Sequence, residues 1–285
     1  MNVDYVRNWR MGPRPVRYDA MRSILYALGV GAGADPAELA LVYEKRLQAL
    51  PTMALVLADP GFWLMQPPAA VDWPKVLHGE QFLTLHRPLP ATGVVDVESW
   101  TQALYDRGRE KGAVLVQATR LREADGGAAI ATARATLLLR GDGGFDSAAP
   151  AAPAAPARPH AMPTRAPDMA VALATRADQA MLYRLSGDLN PLHIDPDAAR
   201  AAGFARPILH GLCTYGFAGR AAVKALCEGD PGRLRQLDAR FTSPVYPGET
   251  LITEIWREGP GRAALRVRVA ERDAVVIDYG YAEYL

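Results

Sequence analysis

The chain has 285 residues, and its 32 lysines and arginines against 31 aspartates and glutamates leave a formal net charge of +1. No global field draws it to nucleic acid or to an anionic membrane, so any acidic ligand has to be held by local arginines. The length suits one large domain or two of moderate size, either able to bury a core without disulfides or structural metals.

From the N-terminus, Met1 to Arg10 carries charges and no apolar core segment, which argues against a signal peptide. The longest apolar runs fall well short of the roughly 20 residues that span a bilayer. The expectation is a soluble, cytoplasmic protein with no membrane partner.

Helical periodicity comes early in each half of the chain, and strand-like alternation comes late. The apolar stretch Met53–Met65, with Phe62, Trp63, Leu64 and Met65, reads either as core or as the lining of an apolar cavity. Strands are expected at Gln81–His86, Val94–Tyr105, Ala113–Leu121 and Ala129–Leu139, with Asp125-Gly126-Gly127 turning the last pair.

Composition then shifts. From Gly141 to Pro167 the chain is rich in Ala and Pro. Repeated prolines remove backbone donors, so this is no helix or central strand but a connector between two domains. The division is 1–142, a linker over 143–167, and 168–285.

In the second half a helix is expected from about Gly211 to about Cys227, followed by strands at Gln236–Phe241, Thr250–Trp256, Ala263–Val269 and Val275–Tyr284. Proline-punctuated breaks, Arg87-Pro88-Leu89-Pro90 and Ser243 to Gly248, follow the first strand of each half. The halves therefore read as one α+β unit duplicated, a long helix packed on an antiparallel sheet. Cys213 and Cys227 are about four helical turns apart in one apolar stretch and are expected buried and reduced.

The chemistry concentrates in Tyr183-Arg184-Leu185-Ser186-Gly187-Asp188-Leu189-Asn190-Pro191-Leu192-His193. A helical approach ends at Gly187, a residue suited to leaving a helix. Pro191 and Pro196 stiffen the loop that follows, and Asp195 is placed to cap a short helix. A carboxylate and an imidazole five positions apart on a rigid loop can converge on one water, with Asn190 able to orient a neighbour. Pro207-Ile208-Leu209-His210-Gly211 then opens the long helix, where a glycine N–H at the positive end of the dipole suits a developing enolate oxygen. Singly, each piece has a plain alternative: Asp188 and Asn190-Pro191 as turn formers, His193 as a core histidine, His210-Gly211 as a helix start. Their joint occurrence favours catalysis.

Together these two strings resemble the signature of the MaoC-like (R)-specific enoyl-CoA hydratases. The first half is similar to the N-terminal repeat of the two-repeat, eukaryotic-type members, through Tyr26–Ala32, Leu50-Pro51-Thr52, His78-Gly79-Glu80-Gln81 and Arg87–Pro90. The likeness covers most of residues 15–142 and 170–285 and leaves the Ala/Pro connector unmatched.

The resemblance implies a double hot-dog fold, each sheet wrapping a long central helix, with a first repeat that has no catalytic pair and serves acyl-chain and CoA binding. It implies that Asp188 is the base on a water attacking the β-carbon and that His193 handles the proton at the α-carbon. Gly211 N–H would polarise the thioester carbonyl and Asn190 would orient the pair. The substrate would be a trans-2-enoyl-CoA, the product a (3R)-3-hydroxyacyl-CoA, and the reaction reversible, with no metal or other cofactor.

Further carried-over contacts are His78 and Gly79 on the acyl-CoA, Phe241 as an apolar wall, and Arg107 where relatives have a lysine near the phosphates. Arg107 reads equally as a solvated charge in a turn. A homodimer is implied as well. The C-terminal Ala282-Glu283-Tyr284-Leu285 has no peroxisomal address. The rival readings are an acyl-CoA thioesterase on the same fold and a non-catalytic CoA-binding subunit; the spacing of Asp188, Asn190 and His193 favours the hydratase.

Overall fold

The alternating apolar segments form one antiparallel sheet of ten strands in a computed structural model that describes residues 1–146 and 160–285. The first repeat contributes β1 (Arg10–Tyr18), β2 (Val76–Leu85), β3 (Gly93–Asp106), β4 (Ala113–Glu123) and β5 (Ala129–Leu139). The second contributes β6 (Met169–Ala174), β7 (Leu234–Phe241), β8 (Thr250–Arg257), β9 (Arg262–Val269) and β10 (Ala274–Tyr284). The helices are α1 (Val3–Asn8), α2 (Ala20–Gly29), α3 (Leu39–Val42), α4 (Ala54–Leu57), α5 (Gln179–Tyr183), α6 (Pro196–Ala201) and α7 (Gly211–Leu226).

The strand order is β1-β3-β4-β5-β2-β7-β10-β9-β8-β6. Each repeat thus runs in the same internal order, read in opposite directions from a seam where β2 pairs with β7. At that seam Glu80 lies across from Arg240, and the two side chains form an ion pair at 2.7 Å. Two repeats joined edge to edge remove the pairing edge that each would otherwise expose.

All eight anticipated strands are present. Asp125 and Gly126 turn the β4–β5 hairpin with φ of 60° and 74°, the positive values such tight hairpin turns require. The two strands not anticipated, β1 and β6, are the outermost of the sheet. In β1, Pro13 and Pro15 obscure the pattern, and only an edge tolerates a residue that cannot donate to the ladder.

Helix α7 lies in the main core, with Cys213, Tyr215, Phe217, Ala221 and Ala222 almost wholly buried. Both cysteines are buried and free. Its glycines permit close approach: a Cβ on Gly216 would stand 2.4 Å from Val30 Cγ1, and one on Gly219 would stand 2.6 Å from Thr52 Cγ2. First-repeat elements therefore pack directly on the second repeat's helix.

The expectation of a long helix in each repeat holds only for the second. Its counterpart in the first is a 3-10 turn at Pro51–Met53 running into α4. Asp59-Pro60-Gly61 prevents continuation, because a residue before proline disfavours the α region and Gly61 has φ of 70°. Beyond it the chain descends through short 3-10 turns to Lys75. Trp63 and Leu64 there join Val6, Trp9, Leu115 and Leu139 in a second, smaller core. The proposed connector begins in ordered chain, where buried Asp142 pairs with the N-terminal amine at 3.2 Å; residues 147–159 of it lie outside the described residues.

One buried ion pair joins the repeats. Arg220 on α7 grips Glu38 with two bonds of 2.6 and 2.7 Å, both side chains at least nine-tenths buried. Removing one partner leaves an uncompensated buried charge. Glu38→Ala is expected to cost about 3–5 kcal/mol, read as a lower urea midpoint; a loss below about 1 kcal/mol would show that Arg220 finds solvent when released.

Candidate active site

The loop between α5 and α6 is held by its own backbone. The helix ends in a 3-10 turn at Arg184–Ser186, and Gly187, with φ of 136°, turns the chain out. Asp195 caps α6, its carboxylate accepting from Asp197 N at 2.8 Å. Between them Asn190 Oδ1 accepts from Leu192 N at 3.0 Å and shapes the 3-10 turn Pro191–His193. Asn190 bears on Asp188 through its backbone: its N–H donates to Asp188 Oδ1 at 3.1 Å. Its side chain caps the turn and reaches neither Asp188 nor His193 through a hydrogen bond among the described residues.

This folding brings Asp188 and His193 together. His193 Nδ1 lies 2.9 Å from the Ile208 carbonyl. A carbonyl only accepts, so Nδ1 carries the proton and Nε2 presents a bare lone pair. That lone pair faces Asp188 Oδ2 at 4.0 Å. Two acceptors cannot bond each other, and this gap is wider than a hydrogen bond. A water donating one hydrogen to each would satisfy both. His193 is buried, whereas the Asp188 side chain keeps a third of its surface. Burial holds the His193 pKa below its ordinary value, against the opposing pull of the Asp188 charge and the Ile208 carbonyl. At neutral pH the imidazole is therefore uncharged.

His210, which sequence reasoning placed only at a helix start, completes the arrangement. Its ring stacks on His193 with centroids 3.7 Å apart, and its Nε2–H donates to the Asp188 carbonyl at 3.2 Å. Nδ1 of His210 is buried without a hydrogen-bond partner. Burial, and then the neighbouring His193, push the His210 pKa down to about 2. Asp188, His193 and His210 offer ligand atoms within 4.8 Å of one another. The two imidazole planes lie 29° apart.

Gly211 is the first residue of α7, and among the described residues no protein acceptor takes its N–H. It lies at the positive end of a 16-residue helix dipole. A Cβ there would stand 3.6 Å from the Phe241 ring. Phe241 in turn meets His78 edge-on at 5.0 Å, so two of the expected ligand contacts stand beside the helix entry. His78 Nε2 bonds the Glu80 carbonyl at 3.1 Å, across an irregularity in β2 at Gly79. Burial lowers the His78 pKa to about 4. Arg107 stands exposed in the β3–β4 turn.

From Asp188 a cavity of about 180 Å³ runs into the first repeat, walled by Leu55, Phe62, Trp63, Leu137 and Leu212 among others. Part of Met53–Met65 thus lines it, while Met53 is core and Met65 is exposed. Sequence reasoning missed Asp59, Gln117 and Tyr183 on the same wall. Asp59 is the one charged residue within Met53–Met65, which was its signal.

Residues 158–278 match the model of the MaoC like domain, and residues 16–141 match the MFE-2 hydratase 2 N-terminal domain. A Mycobacterium tuberculosis protein named 3-hydroxyacyl-thioester dehydratase Y is 45% identical over 274 residues, covering 92% of this chain and 91% of its own. The chain belongs to the MaoC-like hydratase and dehydratase family. The Arabidopsis thaliana protein named enoyl-CoA hydratase 2, peroxisomal, is 40% identical, with 99% of this chain and 95% of that one covered. The crystal structure of a MaoC-like dehydratase from Phytophthora capsici superposes with a TM-score of 0.86 at 31% identity, covering 100% and 98% of the two chains. The double hot-dog architecture is thus that of the family, as expected.

The three depressed histidines set a pH dependence. An unfolded histidine takes a proton near pH 6.5. A folded one held below that value contributes stability fully present above 6.5 and lost as pH falls toward its folded value. For His78 that window runs from 6.5 down to about 4. Urea unfolding is expected to be level from pH 8 to 7 and to weaken below 6.5, each histidine adding a slope of up to about 1.4 kcal/mol per pH unit. His78→Asn should flatten part of that loss; stability unchanged to pH 5 would mean that these rings protonate freely in the folded protein.

Proposed function

We propose that this protein adds water to trans-2-enoyl-CoA thioesters to give (3R)-3-hydroxyacyl-CoA, and runs the reverse dehydration, with Asp188 and His193 as the acid/base pair. The observation that carries the reading is the facing of two acceptors, Asp188 Oδ2 and His193 Nε2, at 4.0 Å beside an unused helix N-terminal N–H. Such a pair polarises a water and has nothing else to bond. The names of the relatives describe the same reaction class.

In the hydration direction Asp188 draws a proton from the water as its oxygen bonds the β-carbon. Negative charge moves onto the thioester oxygen, where the Gly211 N–H and the α7 dipole stabilise it. His193 begins neutral, so the proton it delivers to the α-carbon is the one taken from the water and relayed across the pair. One O–H bond of water and the C=C π bond break, one C–O and one C–H bond form, and the net change is one water added. Asn190 fixes the Asp188 carboxylate through its N–H, and the His210 bond to the Asp188 carbonyl holds the loop against α7.

The division of labour in this reading is residues 1–142 for the acyl chain and CoA, 143–167 as linker, and 168–285 for chemistry. His78, Gly79 and Phe241 contact the acyl-CoA near the helix entry, and Arg107, from its exposed turn, meets the phosphates. A homodimer belongs to the same reading and rests on the family likeness alone; that likeness gives no support to a cytoplasmic location, since one relative is named peroxisomal.

The test follows loss of enoyl absorbance with crotonyl-CoA, with chiral analysis of the product. Wild type is expected to form the (R) product, and Asp188→Asn and His193→Gln each to lower kcat by about 10²–10⁴-fold while remaining folded. Release of free CoA without hydration would favour the thioesterase; unchanged activity in both variants would remove the pair from the mechanism.

A further inference from the structure

The cavity beside Asp188 is not a plain hydrocarbon slot. Its wall carries several polar side chains, and some of these are satisfied by the protein. Thr119 Oγ1 pairs with Ser99 Oγ at 2.9 Å, and the Gln81 amide donates to the Phe82 and Arg134 carbonyls. Three others are not. Asp59 uses one carboxylate oxygen, accepting from Gly61 N at 2.9 Å, and its second has no protein donor among the described residues. Gln117 spends its carbonyl oxygen on the Trp63 indole N–H at 2.8 Å, leaving its amide nitrogen without an acceptor there. The Tyr183 hydroxyl makes no hydrogen bond among the described residues although the ring is 1% exposed. All three residues line the same cavity as Asp188.

Two of these groups are held rigidly. Gln117 is fixed by Trp63, which stacks on Trp9 with centroids 4.0 Å apart and planes 11° apart. Asp59 is fixed by the Pro60-Gly61 turn and by Arg14, which donates to the Asp59 carbonyl at 2.8 Å. Such groups cannot swing away when a ligand displaces cavity water. A saturated chain drawn over them would strip their hydration and return no hydrogen bond, and that loss is large for a carboxylate.

Resting on the hydratase reading, we propose that Asp59, with Gln117 and Tyr183, makes the acyl cavity selective for enoyl-CoA thioesters whose acyl chain carries a hydroxyl group. Asp59 accepts from the substrate O–H, and the Gln117 amide or the Tyr183 hydroxyl donates to its oxygen. Burial pushes the Asp59 carboxyl above its ordinary range, the Gly61 N–H opposing and the Asp188 charge adding. The pairing survives either protonation state, because a protonated carboxyl still accepts at one oxygen and can donate at the other. The first repeat would then supply the site's selectivity and not merely its volume.

The experiment compares kcat/KM for trans-2-hexenoyl-CoA and its ω-hydroxy analogue, with crotonyl-CoA as the reference, in wild type, Asp59→Leu, Asp59→Asn and Gln117→Met. Wild type is expected to favour the hydroxylated thioester by at least about tenfold. Asp59→Leu should abolish that preference, and Asp59→Asn, which keeps an acceptor, should retain most of it. Gln117→Met should weaken it, and so reports independently if Asp59→Leu fails to fold. A wild-type preference for the plain chain, or a ratio unmoved by Asp59→Leu, would overturn the proposal. Hydration of crotonyl-CoA alone would overturn it while keeping the hydratase reading, and hydration of none of the three would remove both.

Discussion

The β2–β7 seam is where the two repeats become one protein, and the site depends on it. Pairing Glu80–Thr84 with Arg240–Gln236 makes the ten strands continuous and orders the repeats head to head. That pairing puts β2, bearing His78 and Gln81, next to β7, whose last residue is Phe241. It also places the Met53–Met65 segment of one repeat opposite the Asp188 loop of the other. Neither half could enclose the cavity alone, since its walls come from both. The buried Arg220–Glu38 pair and the glycine contacts of α7 hold the same two bodies in register from the helix side. A shift of one residue at the seam would turn every side chain of β7 to the other face of the sheet.

Within that frame the electrostatics follow from two backbone carbonyls. Ile208 O takes the Nδ1 proton of His193, and Asp188 O takes the Nε2 proton of His210. Each carbonyl selects a tautomer. The first leaves a bare nitrogen toward the Asp188 carboxylate; the second ties the carboxylate's own backbone to the ring beneath. The two rings stack 3.7 Å apart, and burial holds both pKa values below their ordinary range, so both rest neutral. The resting state of the dyad is therefore set by its surroundings, not by a partner charge.

Much of this was legible in the sequence because it is local. Asp188, Asn190 and His193 stand within one loop and Gly211 at the start of α7, and proline, glycine and capping aspartate announce each turn. The strands with clean alternation were equally visible. What escaped was set by tertiary context. Pro13 and Pro15 hid β1, since proline excludes a central strand and an edge position is not readable from one sequence. The route by which Asn190 meets Asp188 was not legible either: its backbone N–H makes the bond, while the side chain caps its own turn, because a short polar side chain competes for the nearest backbone N–H. His210 looked like punctuation, for its role depends on a ring fifteen residues or more away in the chain folding beneath it. Asp59 and Gln117 belong to the other repeat, and only the folded chain brings them to Asp188.

The unequal central helices set the two repeats apart. In the second repeat α7 keeps 16 residues and carries both the Gly211 N–H and the surface on which His193 and His210 pack. In the first, Asp59-Pro60-Gly61 stops the equivalent segment after Leu57, so there is no long helix to aim a dipole. The chain released by that stop would expose Phe62, Trp63 and Leu64, yet Trp63 and Leu64 are nearly fully buried, stacked and bonded in a second core behind β4 and β5. That core buries the chain beyond the stop, and the same segment lines the cavity. The residue that ends the helix, Asp59, also lines that cavity. Shortening the helix and furnishing the pocket are thus one structural event.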